Sequence, residues 1–240
     1  MTPEEQIMAM LKPLAPVKKR FRVQPKNRDS YMGDRELCVE YQFDNEHEHL
    51  PNWALACQIH RLSLGCGARA SELCALRVAD VVDNKILIIR KSKSRPREVR
   101  VIPELQPFIE GWLQGPNEYL LWDGINPDRP LNRFTVLRQW QRILVATNTG
   151  YRINKAGNLG PMSVHKARHT FATWEIALRR LTEAEAATML GDTVKMVHDY
   201  YQSVIVNYRA EYGDHYPEWP SVALAKFRNQ ENVIPIRGVA

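Results

Sequence analysis

Apolar and polar residues follow one another along this chain with two periods, and the longer one dominates. From Asn52 to Leu64 the apolar side chains (Trp53, Ala54, Cys57, Ile59, Leu62, Leu64) recur every three or four positions, the spacing of one helix face. Gly65 and Gly67 interrupt that pattern and ASELCALRVADV, from Ala70, resumes it. A second helix is therefore predicted just past a glycine turn, with Arg69 at its start. Ile86 to Ile89 and Val99 to Ile102 are β-rich runs on either side of the polar KSKSRPRE, which predicts a hairpin with a basic tip. LNRFTVLRQWQRILVAT reads as an amphipathic helix with Asn132 as its cap. After a loop containing Gly150, Gly157, Gly160 and Pro161 come three more helical segments, HKARHTFATWEIALRR, TEAEAATML and TVKMVHDYYQSV. Leu190 and Gly191 separate the last two, glycine being the usual helix terminator. From Asn207 onward no period is evident, apart from a short helical pattern at Ser221 to Arg228. The pattern as a whole predicts an α+β fold, mainly helical, with a small antiparallel β-sheet.

Composition narrows the function. A chain of 240 residues, 44% hydrophobic, can bury one sizeable core. No apolar stretch approaches the ~20 residues of a bilayer span, and MTPEEQIMAMLKPLAPVKKR has acids where a signal peptide starts basic, so a soluble, intracellular protein is expected. Cys38, Cys57, Cys66 and Cys74 form no CxxC pair and are expected as buried free thiols, without disulfide or zinc. The formal charge is +6, which favours polyanionic partners, and its distribution is more telling than its total. Between Lys12 and Arg28 lie seven basic residues and no acid, with Pro13, Pro16 and Pro25 opposing a continuous helix. This reads either as an extended arm tracking a phosphate backbone, with Lys18, Lys19, Arg20 and Arg22 as contacts, or as a solvated tail. Residues 34 to 49 then turn acidic, which divides the chain into an arm (1–30), a main domain (31–205) and a C-terminal tail (206–240).

Three segments carry candidate chemistry. Arg69, in GARASEL, has a guanidinium fork able to hold two oxygens of one phosphate. His165 and Arg168, three apart in His165-Lys166-Ala167-Arg168-His169, share a helix face and can converge on one anion. The same spacing would let His165 and His169 bind zinc, but no Glu follows the first His as it does in zinc hydrolases, so phosphate binding ranks higher. Tyr200 and Tyr201 in HDYYQSV are candidate nucleophiles that spacing within the segment does not separate.

Taken in order, these segments resemble the catalytic boxes of the tyrosine recombinase (phage integrase) family. Gly67-Ala68-Arg69-Ala70-Ser71-Glu72-Leu73 is similar to the first box, and the hairpin with Lys91 and Lys93 falls where the family's catalytic lysine lies. Ser163-Val164-His165-Lys166-Ala167-Arg168-His169-Thr170-Phe171-Ala172 resembles the His-x-x-Arg box. Leu190-Gly191-Asp192, with Tyr201 nine residues beyond Asp192, resembles the last box and selects Tyr201 over Tyr200. The likeness covers roughly residues 50 to 205. It departs at Asp192, where the family normally carries His or Trp, and in the lack of a separate helical clamp domain before the catalytic one. In this it resembles the short members, such as the fimbrial-switch recombinases, or a fragment.

The resemblance implies a tyrosine recombinase-like catalytic domain that cleaves and rejoins DNA at defined sites, without metal or cofactor. Arg69 and Arg168 would stabilise the phosphate, Tyr201 would attack it, and His165 would accept a proton or hydrogen-bond the phosphate. Lys93, with Lys91 as the alternative, would protonate the leaving 5′-hydroxyl. Glu72 would orient neighbours such as Arg69, and Arg95 and Arg97 at the hairpin tip would join the arm in binding DNA. Gly191 can end one helix and leave Asp192 as the N-cap of the next, a structural duty. Expected partners are double-stranded DNA at specific sites, a homotetramer in the synapse with a C-terminal segment exchanged between protomers, and accessory DNA-bending proteins. The expected location is cytoplasmic, with the nucleoid. The alternatives are a DNA-binding regulator that kept the fold and lost activity, and type IB topoisomerase-like strand relaxation.

Overall fold

The first helix begins where the composition turns acidic. In the computed structural model, which describes residues 31–90, 95–153 and 159–199, α1 (Asp34–His47) is opened by Gly33, whose N–H donates to Glu36 Oε2 at 3.1 Å. The acids of this helix do not all face water. Glu40 and Asp44 are fully buried beside Leu37 and Tyr41. The predicted arm at 1–30, the lysines at 91 and 93, the tyrosines at 200 and 201 and the tail lie outside the described residues.

α2 (Ala54–Cys66) realises the first apolar period, and Ile59, Leu62 and Leu64 are completely enclosed. Each such side chain contributes roughly 1.5–3 kcal/mol of burial. α3 (Ala70–Ala75) is shorter than its pattern predicts, because a tertiary pairing captures the chain. Leu76 turns extended, its carbonyl accepting from Leu120 N at 2.9 Å, and Val78 N donates to Glu118 O at 2.9 Å. A 3-10 turn at Val78–Asp80 then leads into β1 (Val81–Val82), a strand that the apolar pattern does not announce.

β2 (Ile86–Ile89) and β3 (Arg97–Arg100) form the predicted hairpin, in register Ile89 opposite Arg97 and Leu87 opposite Val99. With β1 they make a three-stranded antiparallel sheet of order β1-β2-β3. The second strand starts two residues before the predicted run at Val99. Leu87, Ile89 and Val99 face the core. After α4 (Gln106–Trp112), α5 (Arg133–Thr147) starts at the predicted cap, Asn132, whose side chain accepts from Phe134 N at 2.9 Å. Trp140 of α5 is fully buried and donates Nε1–H to Met162 O at 2.9 Å. The predicted loop beyond it holds an antiparallel ribbon, β4 (Tyr151–Ile153) with β5 (Leu159–Pro161).

α6 (His165–Ala177) and α7 (Glu183–Leu190) complete the body. Thr182 and Glu185 cap α7 reciprocally, Glu185 N to Thr182 Oγ1 at 3.2 Å and Thr182 N to Glu185 Oε2 at 2.8 Å. A last helix starts at residue 194 and is described to 199, with Val197 buried in the core. α2 is the central element, packed on α1, α5 and α6. Cys57, Cys66 and Cys74 are buried and Cys38 is half-buried. Among the described residues no helix is long and apolar enough to cross a membrane.

Candidate active site

One turn sets the geometry. α2 ends at Gly67 in the left-handed conformation, φ +61°, and a Cβ there would come within 2.5 Å of Phe171 on α6. Only glycine lets α6 approach this closely. Two residues later Arg69 sits in extended conformation immediately before α3, and the Gly67 carbonyl accepts from Arg168 Nη1 at 3.2 Å. The turn thereby joins the first and third candidate boxes.

A second turn brings in the last box. Gly191, φ +63°, ends α7, and Asp192 N reaches back to Ala187 O at 3.0 Å, closing the helix in the Schellman manner. Asp192 does not cap the following helix. That position is Thr193, whose Oγ1 accepts from Met196 N at 3.2 Å. A threonine one residue on satisfies the free N–H, and this frees the Asp192 carboxylate for a tertiary partner. Its two oxygens divide between two arginines: Oδ1 meets Arg69 Nη2 at 3.2 Å and Oδ2 is hydrogen-bonded to Arg168 Nη2.

Arg168 is 3% exposed and also donates to Leu190 O. Burial lowers its pKa, against the pull of Asp192, yet a guanidinium stays charged. Arg69 is more open, at 23%. It is held by Glu72, which accepts from its backbone N–H at 2.8 Å and its Nη1 at 3.0 Å. Sequence reasoning gave Glu72 this orienting duty toward Arg69, and the contact is there. It did not give the second partner. Arg97, expected among the DNA contacts, turns inward with its side chain 6% exposed and grips both Glu72 oxygens, at 3.0 and 2.7 Å. Strand alternation carried the signal, because Arg97 lies two residues before inward-facing Val99 on β3. Arg95, by contrast, is exposed.

His165 lies on the same α6 face as Arg168 and meets the ring of His169 edge-on, centroids 5.0 Å apart. Partial burial, then the charges of Arg168, Lys166 and Arg69, hold its pKa below the ordinary imidazole value. His169 is pushed down to about 3, by burial first and by Lys166 next. Both imidazoles are therefore neutral near pH 7 and able to accept a proton or a hydrogen bond. Among the described residues no group of His, Cys, Asp and Glu could hold a metal ion. Three guanidinium groups, of Arg69, Arg97 and Arg168, thus meet two carboxylates, of Glu72 and Asp192. The arrangement suits binding of a single oxyanion between Arg69 and Arg168.

Residues 44–202 match the sequence profile described as the phage integrase family. Comparison with curated proteins found no match. Among solved structures, XerA recombinase aligns with a TM-score of 0.57 at 20% identity, over 78% of this chain and 66% of that one. XerH recombinase, bound to a palindromic difH substrate in a post-cleavage complex, aligns at 0.58 and 16% identity, over 83% and 57%. A lambda integrase tetramer bound to a Holliday junction aligns at 0.52 and 17% identity, over 71% and 48%. At such identities the likeness is one of fold, and the chain spans less than two thirds of each of these relatives.

Proposed function

The chain belongs to the phage integrase family, and on that premise we propose that it is a site-specific DNA recombinase that cleaves and rejoins strands through a 3′-phosphotyrosyl bond at Tyr201. One observation supports this above the rest: Arg69 and Arg168, from separate elements, already converge on the two oxygens of a single carboxylate. A scissile phosphate presents two non-bridging oxygens of the same sign to the same pair.

In the proposed reaction the Tyr201 oxygen attacks phosphorus, the bond from phosphorus to the 5′-oxygen breaks, and the phosphate becomes a 3′-phosphotyrosyl ester. Charge grows on the equatorial oxygens as the nucleophile arrives, and Arg69 and Arg168 stabilise it. Neutral His165 takes the tyrosine proton or hydrogen-bonds the phosphate. The leaving 5′-oxygen receives a proton from Lys93, with Lys91 the alternative. Reversal of these steps on another strand's 5′-hydroxyl rejoins DNA with no external energy source, since the ester retains the energy of the broken bond.

Asp192 takes a defined part. Its carboxylate stands in the anion's place in the DNA-free protein, and it yields that place when DNA binds. If it stayed ~4 Å from the phosphate, the repulsion would be about 4 kcal/mol at an effective dielectric near 20. Duplex DNA at a defined site is the proposed substrate, the basic arm and Arg95 add phosphate contacts, four protomers make the synapse, and DNA-bending proteins assist.

A nicked suicide substrate carrying the cognate site, sought in DNA flanking the gene, tests the reading. Wild-type protein is expected to accumulate a covalent DNA adduct, and Tyr201→Phe to bind DNA but form none. Adduct that survives in Tyr201→Phe and disappears in Tyr200→Phe would assign the other tyrosine. No adduct with the wild-type protein on its cognate site would contradict the proposal.

A further inference from the structure

We propose that Arg97 is a positioning residue for Arg69, acting through Glu72 and not through DNA, an inference that rests on the recombinase reading for its consequence though not for its geometry. Arg97 opens β3 opposite Ile89. Arg90, which follows β2 at the same tip end of the hairpin, is 64% exposed and turns to Asp80, while Arg97 is 6% exposed. The difference is one of direction. Arg97 points inward on the Val99 face and makes a fork-to-fork pair with Glu72, Nη1 to Oε1 at 3.0 Å and Nη2 to Oε2 at 2.7 Å. Its Nε donates to Met189 O at 2.6 Å.

Glu72 is itself 1% exposed, and each of its oxygens is shared. Oε1 accepts from Arg69 Nη1 and Arg97 Nη1, and Oε2 accepts from Arg69 N and Arg97 Nη2. A buried carboxylate with one cation makes a neutral pair, and the cation then has little charge left to offer an incoming anion. With two cations the group keeps a net positive charge, and Arg69 Nη2 is left directed at the position that Asp192 now fills. Arg97 therefore supplies the charge that lets Glu72 hold Arg69 without cancelling it. It also fastens β3 to the end of α7, where consecutive carbonyls, Met189 and Leu190, accept from Arg97 and Arg168. Cations at a helix C-terminus are placed favourably with respect to its dipole. A lysine at 97 would supply charge to Glu72 but could not repeat the fork and reach Met189 together.

The test compares two scissile linkages. On an ordinary phosphodiester, Arg97→Met should cleave at least about tenfold more slowly than wild type, Arg97→Lys should fall between them, and Arg69→Ala should be slower still. When one non-bridging oxygen is replaced by methyl, the linkage carries no charge for Arg69 to neutralise. The deficit of Arg97→Met, like that of Arg69→Ala, should then shrink, and Arg97→Met combined with Arg69→Ala should be no worse than Arg69→Ala alone. An equal deficit on both linkages, or losses that multiply in the double variant, would overturn the proposal and leave Arg97 a structural residue.

A second readout needs no cleavage. In the DNA-free protein the Arg69 Nε–Hε NMR resonance, assigned by its loss in Arg69→Ala, should shift in Arg97→Met, while that of Arg152, bound to Glu36 elsewhere, stays in place. An unmoved Arg69 resonance would overturn the proposal even if cleavage were impaired. A shifted resonance in a protein whose wild type forms no adduct would uphold the geometry and reject the recombinase reading instead.

Discussion

Two clusters of opposite charges hold helices together in this domain, and they differ in how they meet water. Between α1 and α2, His60 lies between Glu40, 2.8 Å from Nε2, and Asp44, 2.6 Å from Nδ1, with all three side chains at 0% exposure. Thr149 donates to Glu40, and Arg61 stands 3.7 Å from Asp44. Between α3, α6 and α7, Asp192 links Arg69 and Arg168 in a similar bridge, but Asp192 is 34% and Arg69 23% exposed. The sealed cluster has no route for exchanging a partner, so it serves structure. The open one is within reach of an external anion, and on the proposed function that anion takes the carboxylate's place.

The largest way to separate the two is to remove the cations of the open cluster. Arg69→Ala and Arg168→Ala should each slow single-turnover cleavage by roughly 100- to 1000-fold, and lysine should restore little because a point charge lacks the fork. Wild-type rates in either variant would remove that arginine from the chemistry. Next in size, His60→Ala leaves two buried carboxylates without their shared partner and should cost about 3 kcal/mol in denaturant unfolding. A loss within error of zero would show that the sealed cluster is not structural.

Its pH dependence follows. Burial disfavours the imidazolium of His60, but Asp44 and Glu40 outweigh it and raise the pKa to about 9. The unfolded imidazole releases its proton near 6.5. The stability carried by that proton is therefore full below about pH 6.5 and is lost as the pH rises through about 9. Unfolding free energy of wild type should decline across that window, and His60→Ala should show less of the decline. An identical slope in both would place the titration elsewhere.

Much of this was legible in the sequence, and the boundary falls where local rules give way to tertiary ones. The Asn132 cap, the helix after Gly67 with Arg69 at its start, and the shared face of His165 and Arg168 depend on neighbours a few residues away. Asp192 illustrates the limit. A local rule makes it an N-cap, but Thr193 serves that purpose, and the carboxylate goes to arginines far away in the chain. The acids of α1 mark a composition boundary in sequence, whereas Glu40 and Asp44 are interior groups because His60 requires them there. β1 and the β4–β5 ribbon were illegible for another reason, since strands of two and three residues are too short to carry an alternating pattern, whereas the early end of α3 comes from Leu76 meeting Leu120 far along the chain.

The central claim is that Arg69 and Arg168 form an oxyanion site which Asp192 occupies until DNA arrives. Its most direct measurement is calorimetric titration of the DNA-free protein with inorganic tungstate, comparing wild type, Asp192→Asn, and Asp192→Asn combined with Arg168→Ala. Asparagine keeps the shape and removes the competing charge, so Asp192→Asn should bind the anion at least about tenfold more tightly than wild type, the double variant should lose the gain, and folding stability should change by less than about 1 kcal/mol. Affinity in Asp192→Asn equal to or weaker than wild type would contradict the account, since the carboxylate would then not be holding the anion's place.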